Sequence, residues 1–274
     1  MKKKKVWIIL LSVVLGLFVV FGGVYFATKL SSVNVQFRSR LAVGESRLAS
    51  GILDTVKDSG EFNYKDSVLF MDTEKNVAKI EKSNPYVKVH QVVRKFPNKI
   101  YIYILERVPK YRIKDSENSN SWILLDEEFK SLEKISNDEL LNQGLNEKTV
   151  EIEFISEKVE VGDFLQKTTE MNNLNEIFSG IYGRTKDYFV AKSIDYSSET
   201  DTYSITMKTS VEKEDGTITY EGGCVIQIEG SNELEDRAFK AASFYAGDSE
   251  EIDGINLSSK VVILSNKYGT FYKT

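Results

Sequence analysis

A single histidine, His90, and a single cysteine, Cys224, stand in a chain of 274 residues. They are the side chains whose chemistry would suit a nucleophile, a general base or a soft metal ligand. A Cys–His couple would have to join positions far apart in the sequence, and neither residue has a companion at metal-ligand spacing. His90 therefore reads as an exposed or edge histidine beside Arg94-Lys95, and Cys224 as a buried small hydrophobe. Carboxylates are abundant at Asp126-Glu127-Glu128, at Glu233, Glu235 and Asp236, and at Asp248-Ser249-Glu250-Glu251. Paired acids, with Asp126 as one member, could hydrolyse a glycosidic bond. Runs of adjacent acids more often solvate a loop, and none here sits in an aromatic, cleft-forming context. Gly222-Gly223 lacks the helix and the Lys-Ser/Thr of a phosphate loop and marks a turn or bulge. No enzyme signature, metal set or cofactor set emerges, and the expected work is non-covalent.

The chain opens with Lys2-Lys3-Lys4-Lys5, after which residues 6–27 carry no charge, with Trp7 and Tyr25 near the two ends. As a helix this run is about 33 Å long, enough for a bilayer core. The lysines place the tail, residues 1–5, in the cytoplasm and the C-terminus outside, with 6–27 as a single transmembrane helix. A cleaved signal peptide is the competing reading. The apolar run exceeds the roughly 7–15 residues of such a segment. Tyr25 also stands where a small residue is needed before Ala27, so an uncleaved anchor is expected. The formal charge is −5, and the part beyond the lysines is more acidic still. Nucleic acid and anionic lipid are therefore not expected partners. With one cysteine, no internal disulfide is possible.

Behind the anchor the length suits two domains. Val33–Phe37 alternates like a strand, and Ser46 is placed to cap a helix presenting Leu48, Ile52 and Val56 up to Gly60. Asp72 caps a second helix with Val77 and Ile80, stopped at Asn84-Pro85, where Asn84 suits a left-handed end. Val87, Val89 and Val93 lie on a strand that reverses at Pro97-Asn98. In the next strand Ile100, Ile102 and Ile104 oppose Tyr101, Tyr103 and Leu105, a pattern that predicts cover on both faces. The order is β-α-α-β-β over 33–108, an α+β domain with both helices on one side.

Residues 109–265 read as a mixed, strand-rich domain. Strands are expected at 122–125, 150–154, 191–196, 202–209, 217–220 and 224–228, with Asp215-Gly216 as a hairpin turn. Phe164, Met171, Leu174, Phe178 and Ile181 predict a long helix. Asn232 to Glu235 matches a capping box opening a last helix to Gly247. A final strand is expected at Lys260–Ser265, and 266–274 as a polar, aromatic tail.

Several residues together resemble a known family. The lysine tail, the single span, Asn84-Pro85-Tyr86-Val87, Phe96-Pro97-Asn98 and Glu106-Arg107-Val108-Pro109, in that order, are similar to the FtsQ/DivIB bacterial cell-division proteins. The resemblance implies a POTRA domain over 33–108, a β-domain over 109–265, and no enzymatic activity. It implies FtsL-type and FtsB/DivIC-type partners, with indirect action on septal peptidoglycan synthases. It also implies partner contacts on the last helix and final strand, here Phe239, Tyr245, Val261, Val262, Ile263 and Leu264, with strand addition at an exposed edge. The sequence leaves open whether Val261–Leu264 is an edge or a buried central strand. A POTRA-type chaperone or secretion component, and a wall-active hydrolase, are the other classes.

Overall fold

The computed structural model describes residues 2–38, 46–48, 50–155, 157–166, 168–212, 218–246 and 262–273. The chain divides into two compact units, Met1–Arg107 and Val108–Thr274.

The first unit begins with α1 (Lys2–Ala27), whose Leu10–Ala27 stretch is long and apolar enough to cross a membrane. There follow β1 (Ser32–Arg38), α2 (Ile52–Ser59), α3 (Thr73–Ser83), β2 (Val87–Lys95) and β3 (Lys99–Glu106). The sheet order is β1-β3-β2, with β1 parallel and β2 antiparallel to β3. Ile100, Ile102 and Ile104 are fully buried against Val56 of α2 and Ile80 of α3. Tyr101, Tyr103 and Leu105 are only half-buried, so the strand is covered on one face rather than both. The reason lies in the layer count: both helices pack on the isoleucine side.

Two caps differ from expectation. Ser46 does not open α2; its hydroxyl donates to the Glu106 carboxylate (2.8 Å), and the helix begins after Gly51 in the left-handed conformation. Asn84 is extended (φ −133°), and its side-chain amide satisfies the Ile80 carbonyl at 2.8 Å and the Ser59 hydroxyl at 2.9 Å. Asp72 does cap α3, accepting from the Lys75 N–H.

The second unit runs β4 (Tyr111–Lys114), β5 (Ser121–Leu125), β6 (Ser131–Ser136), α4 (Asn137–Asn142), α5 (Leu145–Lys148), β7 (Val150–Ile152), α6 (Thr169–Thr185), β8 (Ala191–Ser197), β9 (Thr202–Glu212), β10 (Ile218–Glu229), α7 (Leu234–Tyr245), β11 (Val262–Asn266) and β12 (Gly269–Lys273). Among the described residues these strands form a nine-stranded sheet, ordered β12-β11-β10-β9-β8-β7-β4-β5-β6. The pairs β7–β8 and β10–β11 are parallel, so each needs a crossover, supplied by α6 and α7. Both crossovers run the same way between strands of the same direction, so a common hand puts both helices on one face. Phe178 and Ile181 of α6 and Ala238 of α7 pack in one core with Tyr203, Ile205, Ile226 and Ile263 of the sheet, all fully buried. Phe164 lies ahead of α6 rather than on it, bridged to Lys130 and half exposed. The register of β10 shifts between Gly222 and Val225, while Asp215-Gly216 lies outside the described residues.

Candidate functional site

Residues 266–274, expected as a tail, instead turn at Lys267-Tyr268 and return as β12. β12 pairs antiparallel with β11, Ile263 opposite Tyr272 and Leu264 opposite Phe271. On its other side β11 pairs in parallel with β10, Val225 opposite Val262 and Gln227 opposite Leu264. The last-but-one strand is thus bonded along both flanks, and strand addition at Val262–Leu264 is excluded. The physical cause is the short turn, which lets an apolar strand satisfy its backbone with its own continuation. Among the described residues, the edge strand at this end of the sheet is β12.

Alternation along β11 sorts the expected contact residues. Ile263 and Ser265 are buried toward α7, whereas Val262 and Leu264 point to the other face and are half-buried. There Leu264 lies beside Phe271, which is 51% exposed, with Val225 and Gln227 next in line. This apolar strip, Val262, Leu264 and Phe271, borders the β12 edge directly. Val261 lies outside the described residues.

α7 holds the strip in place from behind. Arg237, 8% exposed, donates through Nη2 to the Ser265 carbonyl and through Nη1 to the Asn232 carbonyl (3.3 Å). Tyr245 is half-buried against the core, and its hydroxyl donates to the Lys208 carbonyl of β9. Lys208 in turn donates to the Glu147 carbonyl at 2.7 Å and faces its carboxylate at 3.4 Å. Burial holds the Lys208 ammonium below its ordinary pKa, with Glu147 opposing that shift. The expected capping box does not form. Glu233 is left-handed, and Glu235 accepts from the Ser179 hydroxyl of α6 at 2.7 Å.

Phe239, two residues from Arg237, points about 200° around the helix from it. It lies against Gly183 of α6, lining a groove of about 560 Å3 with Glu176, Glu233 and Asp236. Tyr245 and Phe239 therefore do not share the β12 surface. Gly180, in the C-terminal half of α6, faces α7. A Cβ there would meet the Glu235 carbonyl oxygen at 2.2 Å, so glycine lets α6 and α7 touch backbone to backbone.

The residues with catalytic potential lie elsewhere and apart from one another. His90 is exposed on β2 in the first unit, and Cys224 is fully buried on β10 in the second. Burial pushes the Cys224 thiol up to about 12. Asp126, 3% exposed, accepts from the N–H groups of Glu128 and Lys130, both at 2.9 Å, and so shapes the turn between β5 and β6. No group of His, Cys, Asp and Glu suited to a metal occurs among the described residues.

Residues 53–107 match the family model for the POTRA domain, FtsQ-type. No curated protein matches the chain. POTRA domains of this type are typically non-enzymatic and serve protein–protein interaction. This domain behind an N-terminal apolar helix supports an FtsQ/DivIB-like protein, a division-related POTRA protein whose apolar helix suggests membrane anchoring.

Proposed function

We infer that the chain is a membrane-anchored divisome scaffold, acting without enzymatic chemistry. It binds FtsL-type and FtsB/DivIC-type single-pass proteins and thereby helps control septal peptidoglycan synthesis. The lysine tail is cytoplasmic and both folded units lie outside, concentrated at the division septum.

One observation carries the partner site: an edge strand, β12, continuous with the half-exposed strip of Val262, Leu264 and Phe271. A partner strand added to β12 gains main-chain hydrogen bonds and covers the strip with alternate side chains. Ile263 and Tyr245 support this surface from the core side, while Phe239 belongs to the opposite flank of α7.

The expected outcome of replacing both Leu264 and Phe271 by Glu is loss of capture of a DivIC-type ectodomain, with the circular dichroism spectrum and Tm nearly unchanged. Undiminished capture by this folded variant refutes the site. Even distribution of a fluorescent fusion around the envelope, rather than a midcell band, refutes the divisome assignment.

A further inference from the structure

Two loops of the first unit are tied to the end of α1, and each carries a bare phenylalanine. The 64–70 loop is held by Val68 N–H to the Thr28 carbonyl (2.8 Å) and Leu30 N–H to the Asp66 carbonyl (3.0 Å). The Thr28 and Ser67 hydroxyls (2.6 Å) and the Tyr25 hydroxyl on the Lys65 carbonyl (3.2 Å) add to it. The turn between β2 and β3 is held by the Ser31 N–H on the Asn98 carbonyl (2.8 Å). Next to them Arg94, near the end of β2, donates to the carbonyl of Met71, the residue after the first loop, at 2.7 Å.

Phe70 is 73% exposed and Phe96 72%, the most open aromatic side chains of this unit outside α1 among the described residues. Exposing a phenylalanine to water forfeits about 1.5–3 kcal/mol of burial. Two such residues, each on a loop tied to the end of an apolar helix, call for an apolar neighbour. Tyr25 and Phe26 lie in the last turn of the helix, Lys29 follows it, Lys65 is in the first loop, and Lys95 and Lys99 flank the second. Aromatics backed by lysines are what a headgroup–acyl boundary accepts. The net acidity that argues against anionic lipid belongs to the chain as a whole, whereas residues 64–70 and 94–99 carry Lys65, Arg94, Lys95 and Lys99 against Asp66.

We propose that Phe70 and Phe96 insert into the interfacial zone of the bilayer that α1 spans, seating the first unit on the membrane with its strands rising away from it. This rests on α1 being a membrane anchor. The occupant is the lipid surface, and its phosphates meet the lysines.

The test uses the full chain in nanodiscs of phosphatidylethanolamine and phosphatidylglycerol, with nitroxide labels at Leu69→Cys, Lys95→Cys, Ser83→Cys and Leu17→Cys. Cys224 is buried and takes no label. The ratio of oxygen to nickel-chelate accessibility reports depth. The expected result is a several-fold higher ratio at positions 69 and 95 than at 83, the far end of α3, and a drop to the value at 83 on adding Phe70→Ser and Phe96→Ser. Aqueous values at 69 and 95 with a lipid value at 17 overturn the seating alone. Protection from both reagents at 69 and 95 overturns it in favour of a protein contact. An aqueous value at 17 overturns the anchor and, with it, the seating.

Discussion

In the three-stranded sheet of the first unit, the strand that is central in space is also the one marked in sequence. β3 carries three consecutive buried isoleucines at period two, and it pairs with a hairpin neighbour across a three-residue turn. In the nine-stranded sheet β9 and β10 carry the same kind of mark, Tyr203, Ile205 and Met207 on one and Cys224, Ile226 and Ile228 on the other, yet period alone does not say which strands lie beside them. β10 is joined to its parallel neighbour β11 only after α7 and a further stretch of chain. Local pairing can be specified by pattern and turn chemistry, whereas parallel pairing is specified by what the crossover helix can pack against. The contrast explains why the sequence leaves open whether β11 is an edge or an inner strand, and why only its pairing on both sides decides it. β11 has the more apolar sequence, but apolarity on both sides of a strand describes burial, not an edge.

Mutations can break the two regions separately. Replacing Ile263 by Glu should have the largest effect, since it puts a charge in a fully buried site of the second unit. We expect loss of several kcal/mol and disappearance of that unit's thermal transition, with the first unit's transition retained. A single joint transition would show that the two units do not unfold independently. Ile102→Ala is the mirror experiment. It should cost about 2–4 kcal/mol and lower the first unit's transition alone, read by calorimetry.

Gly180→Ala sharpens the comparison, because it tests a contact between two crossover helices that no local pattern encodes. Overpacking of α6 on α7 should cost about 1–3 kcal/mol. Tm should then fall by about 2–4 °C per kcal/mol. An unchanged Tm would mean that the helices separate freely at this point. The smallest effect is expected from Arg237→Ala, which leaves the Ser265 carbonyl without its donor, at a cost of about 1–2 kcal/mol. Hydrogen exchange should then quicken in β11 and β12 before β8 and β9. Uniform quickening would show that Arg237 supports the whole sheet rather than the hairpin.

Much of the first unit was readable because its signals are local: Asp72 as a cap, the stop at Asn84-Pro85, the turn at Pro97-Asn98 and the isoleucine period of β3. The misreadings there, Ser46 and the left-handed Asn84, share one cause. Each side chain found a partner outside its own turn, the Glu106 carboxylate for Ser46 and the Ser59 hydroxyl for Asn84. In the second unit the long helix and several strands were legible from periodicity. The short strands β4 and β6 were not, since four to six residues give too little period to see. Nor was β12, where a polar, aromatic stretch becomes a strand because β11 offers it a ladder.

By itself the sequence determined the apolar helix, the β-α-α-β-β order of the domain behind it and the poverty of catalytic side chains. These depend on hydrophobic period, charge and residue type, which neighbouring positions carry. Only the tertiary structure decided which strand ends the sheet, which face of β11 meets α7, and that Phe239 and Tyr245 serve different surfaces. Those outcomes depend on hydrogen bonds and close packing between segments distant in the chain, where backbone satisfaction and volume, rather than local preference, select the arrangement.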